Sequence, residues 1–562
     1  MTTPEQAATP DVFHVQAYER DLLREALVSR GFTDDGDTLV GNVRWTSSSA
    51  GSVSTTVTIE VGEAFPYGPP VVRLSQRHRR PTDSTPTFHL ERNGTLCLYD
   101  DQVEVHDAGW RDPDRLLDQV AGWLENTDAG WPGDTDTDLE RYLPQDPRLL
   151  RYDADELADK VGALKLDDDR VYWLAPVQER TGTRPNRRSG RRGRRVQPQG
   201  AFLLDAGELD APVLAWSQVL AAAGDRHGEL DQLVRRGQVR VVLLRYTRGG
   251  HPGLLALSLT RSGKAVSGVA MAALEAADIS DASRRLRSGT SALSLSSHRV
   301  AVIGCGAVGS YVADSLLRSG VRRMTLVDHQ TLRPGNVVRH LASDRMSGWP
   351  KVDAVRATLG ATGLSVERIE VRPTALRTLA EAAELIRTHS LVIDACGDQR
   401  AAALLQAAAH DVGGKLVKVC LQREGGIARV DRWPLTSGEV HAGEVPPLAG
   451  LTRVRERGCG DLVSLTPPHA VLTAAALAVR TACAVLVGGH TQPSVVDVLT
   501  AQPDPPYDRA GLVLRRTAST VTTSPETTQL IRLEAYDPSD AAPGGTPDGS
   551  PSRDQDATGR VR

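Results

Sequence analysis

The run Arg299-Val-Ala-Val-Ile303 followed by Gly304-Cys-Gly306-Ala-Val-Gly309 constrains this chain more than any other segment. A strand-forming stretch leads into glycines spaced G-x-G-x-x-G, and Val308, Val312 and Leu316 then fall on one helical face. Strand, glycine turn and helix in that order bring the backbone close to a phosphate and turn the free N–H groups of the helix start toward it. A second short strand, Met324-Thr-Leu-Val327, ends in Asp328. It lies about 20 residues past the loop, where a carboxylate can accept from a ribose hydroxyl. This much fits an adenine nucleotide, and a nicotinamide dehydrogenase would share it.

Residues further along the chain separate the two. Asn336, Arg339 and Lys351 come after Asp328, with Asp394 and Asp398 near the end of the strand Leu391-Val-Ile-Asp394. A triphosphate is more highly charged than a pyrophosphate bridge, so it calls for added cations and for a carboxylate that can hold Mg²⁺. Either cation alone would read as surface charge; in this order they read as a triphosphate site. Across 291–500 strand and helix patterns alternate, as in an α/β parallel sheet with crossovers.

A chain of 562 residues divides into roughly three or four domains. Residues 11–150 read as a small α+β domain. Leu22, Leu23, Ala26 and Leu27 have helical spacing, Val53, Thr55, Val57, Ile59 and Val61 alternate as a strand, and Leu116, Leu117, Val120 and Leu124 mark a second helix. Between them the prolines of Phe65-Pro-Tyr-Gly-Pro-Pro70 forbid helix. Residues 151–290 form a less legible α+β region with strand-like runs at 239–244 and 254–259. Seven arginines between Arg184 and Arg195 read as a solvated loop, and 537–562, rich in Pro, Gly and Asp, as a disordered tail. The α/β segment that carries the glycine loop spans 291–535.

With a net charge of −4 the composition argues against a dedicated nucleic-acid binder or a membrane-surface protein. No uninterrupted apolar run reaches the roughly 18 residues of a spanning helix, and the N-terminus lacks a signal pattern. The expected location is the cytoplasm. Six scattered cysteines without a Cys-x-x-Cys pair argue against structural zinc, and a reducing compartment against disulfides. Each is therefore a buried hydrophobe or a reactive thiol.

Gly304, Gly306 and Gly309, then Asp328, Asn336, Arg339, Pro350-Lys351 and Asp398, resemble the Rossmann-like adenylation domain of ubiquitin-activating and ThiF/MoeB-type enzymes over roughly 290–500. The resemblance implies ribose binding by Asp328, phosphate binding by Asn336, Arg339 and Lys351, and Mg²⁺ at Asp398. It implies ATP-dependent adenylation of a protein C-terminal carboxylate, and pairing as a homodimer. An arginine upstream of the glycine loop that reaches across such a dimer could be Arg284, Arg285 or Arg287.

A carboxyl adenylate is labile to water, and transfer to an accessible, partly ionised thiol preserves the activation. Cys459 sits in Arg457-Gly-Cys-Gly460, with Arg453 and Arg455 nearby and an apolar helix starting at Thr466-Pro-Pro468. It is the expected acceptor. Cys305, Cys396, Cys420 and Cys483 read as structural.

A second thiol, Cys97 in Gly94-Thr-Leu-Cys-Leu98, has the proline-rich turn upstream and Trp110 and a helix downstream. This order resembles a ubiquitin-conjugating domain over about 11–150. Where that family commonly places an Asn, eight positions before the cysteine, this chain has His89. An imidazole can donate to an oxyanion or help deprotonate an amine. The competing reading of His89 is a loop histidine satisfied by its neighbours.

The whole arrangement resembles the activating–conjugating fusion enzymes of bacterial CBASS anti-phage operons. That implies a linker domain over 151–290 connecting the two catalytic units, and a thioester on Cys459, then on Cys97, then transfer to a lysine of a target. The activated protein would be a cGAS-like nucleotidyltransferase, with a ubiquitin-like protein next. A sulfur-carrier adenylyltransferase of ThiF/MoeB type is the rival enzyme class, and an N-terminal domain that only docks a partner is the non-catalytic reading.

Overall fold

The computed structural model describes residues 12–75, 87–99, 109–167, 171–175, 200–261, 268–435, 454–455, 462–488, 495–499 and 511–515. Cys459, the arginine run and the tail from 537 lie outside the described residues. The chain divides into two compact units between Ser283 and Arg284.

The first unit opens with the helix Val12–Ser29 and an antiparallel sheet of β1 (Thr33–Asp34), β2 (Leu39–Ser47), β3 (Gly51–Glu60) and β4 (Val71–Leu74) in sequential order. Val57 and Ile59 of β3 are fully buried, and they meet Leu23, Leu27, Leu116, Val120 and Trp123 in one core. Leu116, Val120 and Trp123 come from the helix Pro113–Asp128. Asp112 caps its start by accepting from the Asp114 and Arg115 amides, and Pro113 occupies a first-turn position that needs no N–H. The turn at Phe65–Pro66 has a cis peptide, and the Pro66 carbonyl accepts from the Trp110 indole at 2.9 Å.

The same unit continues into a closed seven-stranded barrel. Its strands are β5 (Gln145–Tyr152), β6 (Gly162–Asp167), β7 (Val171–Ala175), β8 (Gly200–Glu208), β9 (Val239–Arg248), β10 (His251–Arg261) and β11 (Val269–Asp278). Their order around the barrel is β10-β11-β5-β7-β6-β8-β9. The two runs expected as strands are β9 and β10. Barrel closure has no counterpart in the sequence pattern, because β5 lies parallel to both β11 and β7 while its neighbours pair antiparallel. No local period encodes such mixed closure.

The second unit carries an eight-stranded sheet. In chain order its strands are β12 (Arg299–Ile303), β13 (Arg323–Val327), β14 (Arg368–Arg372), β15 (Leu391–Asp394), β16 (Leu416–Gln422), β17 (Ile427–Trp433), β20 (Val495–Leu499) and β21 (Gly511–Arg515). A small pair, β18 (Val454–Arg455) and β19 (Leu462–Val463), stands apart. The sheet order is β14-β13-β12-β15-β16-β17-β20-β21; the first five are parallel and the last three antiparallel. Val300 and Val302 face one core while Ala301 and Ile303 face the other, the period-2 alternation of a strand buried on both sides.

One helix, Pro468–Val487, is long and apolar enough to cross a membrane by length and composition, with mean hydropathy 2.1. This corrects the expectation that the chain holds no such segment; Arg480 interrupts the apolar run and hides it from a search for unbroken stretches. Over half of the helix is buried, with Ala474, Ala478 and Ala482 in the core beneath β16 and β17.

Candidate active sites

The chain leaves β12 toward β13 and β14 on one side, and returns as β15 and β16 on the other. The strand order therefore reverses between β12 and β15, and in open α/β sheets the crevice beyond the carboxyl ends of such strands receives ligands. A cavity of about 390 Å³ occupies that place, lined by Gly304, Gly306, Asp328, Gln330, Leu376, Cys396 and Asp398 among others.

Two glycines of the loop answer to separate constraints. Gly304 has φ +87°, and a side chain there would collide with the backbone of Cys396. Gly309 lies inside the helix Ala307–Ser319 where a Cβ would overlap the Gly304 carbonyl. Gly306 has open space instead and forms the helix N-cap with no side-chain cap. Gly309→Ala is expected to destabilise the second unit by about 1–3 kcal/mol through this overlap, read as a drop in melting temperature. A variant that melts like the parent would show that the loop relaxes freely.

Asp328 follows β13 and is nearly buried. Its two oxygens accept from the Cys305 amide at 2.8 Å and the Gln330 amide at 2.7 Å, which fixes the carboxylate at the cavity wall. Lys351, also buried, donates to the Gln330 side chain at 2.6 Å. Burial lowers its pKa, and the nearby Asp328 opposes that shift. Asp398 lines the cavity and caps the helix Gln399–Val412, accepting from the Arg400 amide at 2.8 Å. Asp394 behind it is buried, and burial raises its pKa.

None of the three anticipated phosphate ligands, Asn336, Arg339 and Lys351, belongs to the cavity lining. Asn336 accepts from the Arg333 amide at 3.1 Å in a 3-10 turn. Arg339 reaches the carbonyls of Ser464 at 2.7 Å and Thr466 at 3.2 Å, just past β19. The pair β18–β19 brackets residues 456–461, the segment that contains Cys459. Arg284, Arg285 and Arg287 lie in or just after the short helix Asp281–Leu286, and none lines the cavity. Sequence reasoning missed Gln330, whose amide and side chain join Asp328 to Lys351; its position two residues past Asp328 was the available signal.

Of the cysteines read as structural, Cys305 is buried and Cys483 partly buried in the helix Pro468–Val487. Cys396 instead faces the cavity, its thiol donating to Asp394 at 2.9 Å, and burial drives its pKa upward. It is a protonated thiol at neutral pH. No group of three or more metal-ligating side chains occurs among the described residues.

In the first unit Cys97 is partly exposed, next to the bridge between Leu90 and Leu96. Its amide donates to the His89 carbonyl at 2.9 Å, so the two loops are in register. His89 holds φ +57°. Its ring Nε2 lies 2.7 Å from Asp134, which also pairs with the buried Arg248, and the ring packs on Trp131. The His89 amide donates to the Tyr142 hydroxyl at 2.8 Å, and its carbonyl also accepts from the Trp123 indole. One ring nitrogen is thus committed to a carboxylate, the satisfied state that competes with the catalytic one. Burial pushes the Cys97 thiol up from its usual pKa, and Arg141 opposes this. Arg141 Nη1 lies 3.5 Å from Cys97 Sγ, a contact with no sequence signature.

The second unit is an α/β domain with a cavity at the switch point of its sheet, and residues 283–521 match the ThiF family. The chain is 37% identical over 106 residues to the molybdopterin-synthase adenylyltransferase of Escherichia coli, spanning 18% of this chain and 41% of that one. It is 29% identical over 147 residues to the ATP-dependent ubiquitin transferase-like protein Cap2 of Vibrio cholerae, 24% of each. Among solved structures, Escherichia coli MccB with ATP aligns at TM-score 0.31 and 12% identity, over 40% of this chain and 66% of that one. The chain covers less than half the length of both curated relatives.

Proposed function

We propose that this chain uses ATP to activate the C-terminal carboxylate of a protein, carries it on Cys459 and then on Cys97, and passes it to an amine of a target. The supporting observation is a cavity of about 390 Å³, walled by Asp328 and Asp398 in a segment that matches the ThiF family, on the same chain as a partly exposed thiol touched by an arginine. Similarity to Cap2 favours this reading over plain adenylation.

In the first step a carboxylate oxygen attacks the α-phosphorus of ATP and pyrophosphate leaves. The Cys459 thiolate then adds to the acyl carbon and AMP departs. Cys97 takes the acyl group by thiol exchange, which fusion in one chain favours by raising the local thiol concentration. A neutral lysine amine finally displaces Cys97 and gives up a proton to solvent. Asp328 holds the ribose. Asn336, Arg339 and Lys351 are assigned to the phosphates, which requires Arg339 to exchange its carbonyl partners for them.

Mg²⁺ binds through one or two carboxylates plus phosphate oxygens and waters, so the cavity-lining carboxylate of Asp398 fits it. The ion would neutralise phosphate charge there. The activated protein is assigned as a cGAS-like nucleotidyltransferase in a CBASS-type defence system, with a ubiquitin-like protein second. The working enzyme is a cytoplasmic homodimer. The similarity to a molybdopterin-synthase adenylyltransferase keeps a second reading, a sulfur-carrier adenylyltransferase that makes no use of Cys97.

Intact mass spectrometry after incubation with ATP and a candidate partner separates the two. The expected product is a dithiothreitol-labile adduct, mapped by peptide to Cys459 and Cys97. An adenylated partner with no protein-bound thioester would establish the second reading instead.

A further inference from the structure

Resting on the reading of Cys97 as an acyl-carrying thiol, we infer that Arg141 is a catalytic residue of that site, the counter-ion of its thiolate and the donor to the acyl oxygen during exchange. The sequence pattern offers His89 for the second role, but geometry favours the arginine.

Arg141 stands on the turn Glu140–Tyr142, and two carboxylates fix its guanidinium. Nε and Nη2 both donate to Asp138 at 3.2 Å, and Nη1 lies 3.6 Å from Asp136. With the fork held on one side, Nη1 is presented to the Cys97 sulfur at 3.5 Å. Burial weakens the Arg141 charge, but Asp136 and Asp138 outweigh it and keep the group protonated.

His89 is held the other way. Its Nε2 meets Asp134, its ring packs on Trp131, and its amide donates to Tyr142, the neighbour of Arg141 on the same turn. One turn thus holds the histidine loop and aims the arginine. Other charged groups act on the thiol as well: Glu91 and Asp136 both disfavour the thiolate, and Arg141 is the cation that offsets them among the described residues.

That placement dictates the chemistry. The Cys97 thiolate forms a bond to the carbonyl carbon of the incoming thioester while the C=O π pair moves onto oxygen. Collapse restores the carbonyl and breaks the bond to the donor sulfur, which leaves as thiolate and takes a proton from solvent. The oxygen that carries the transient charge is two bonds from the Cys97 sulfur, within reach of a donor already touching that sulfur.

The test uses the full-length protein alone, with iodoacetamide as probe and peptide mapping to isolate Cys97. In Arg141→Gln the pH of half-maximal alkylation moves upward, and the rate at pH 7.5 falls by about three- to tenfold. The fall is limited because a more basic thiolate is intrinsically more nucleophilic. Arg141→Lys keeps the charge and most of the rate, and serves if the Gln variant melts early. Acyl transfer from charged Cys459 to Cys97 slows further than alkylation does in Arg141→Gln, because the oxygen donor is also lost. Superimposable alkylation profiles for parent and Arg141→Gln would overturn the assignment. Alkylation needs neither ATP nor a partner, so a shifted profile supports the Arg141–Cys97 contact even where no acyl group is ever found on Cys97, a result that would sink the ligase reading alone.

Discussion

Asp398→Asn is expected to lower ATP–pyrophosphate exchange by about a hundredfold while leaving the melting temperature nearly unchanged. The two halves of that result come from the two duties of one carboxylate. Asp398 caps the helix Gln399–Val412 through the Arg400 amide, and Asn caps a helix about as well as Asp. The amide nevertheless removes the negative charge that faces the cavity and would hold Mg²⁺ against the phosphates. Asp398→Ala mixes the two effects, since loss of the cap costs about 1 kcal/mol. Exchange retained at parental rate in the Asn variant would reduce Asp398 to a helix cap.

Cys97→Ala is expected to stop ligation, by on the order of a thousandfold or more, without touching exchange. The acyl group then accumulates on Cys459 as a thioester that dithiothreitol releases. Cys459→Ala should retain exchange, because adenylation precedes any thiol, and should form no thioester on either sulfur. The two variants together order the relay. Ligation surviving in Cys97→Ala would leave the first unit as a docking module, and loss of exchange in Cys459→Ala would mean that Cys459 has a different role.

The place of the cavity beyond β12 and β15 was legible because its signals are local. The glycine spacing, the strand before it and the carboxylate after the next strand each arise from a short period or a fixed offset, and the structure places Gly304, Gly306, Asp328 and Asp398 around one cavity. The helix start at Pro468 and the buried strand β12 were readable for the same reason. The carbonyl contacts of Arg339 were not, since its partners Ser464 and Thr466 are over a hundred residues away. The barrel escaped because its closure joins β5 to β11, strands separated by the whole of the domain. Arg141 and Asp134 escaped too: a charge reaching a cysteine 44 positions earlier, or a histidine 45 earlier, leaves no pattern in composition.

The helix Ala307–Ser319 begins at Gly306 without a side chain to complete its first turn. A helix start left open in this way normally weakens a fold. On the proposed ATP-binding reading a phosphate would serve as acceptor for these amides, and the arriving nucleotide would finish a piece of architecture that the polypeptide leaves undone. Occupancy and rigidity of this unit therefore rise together, and the empty protein should be the one that proteases open first.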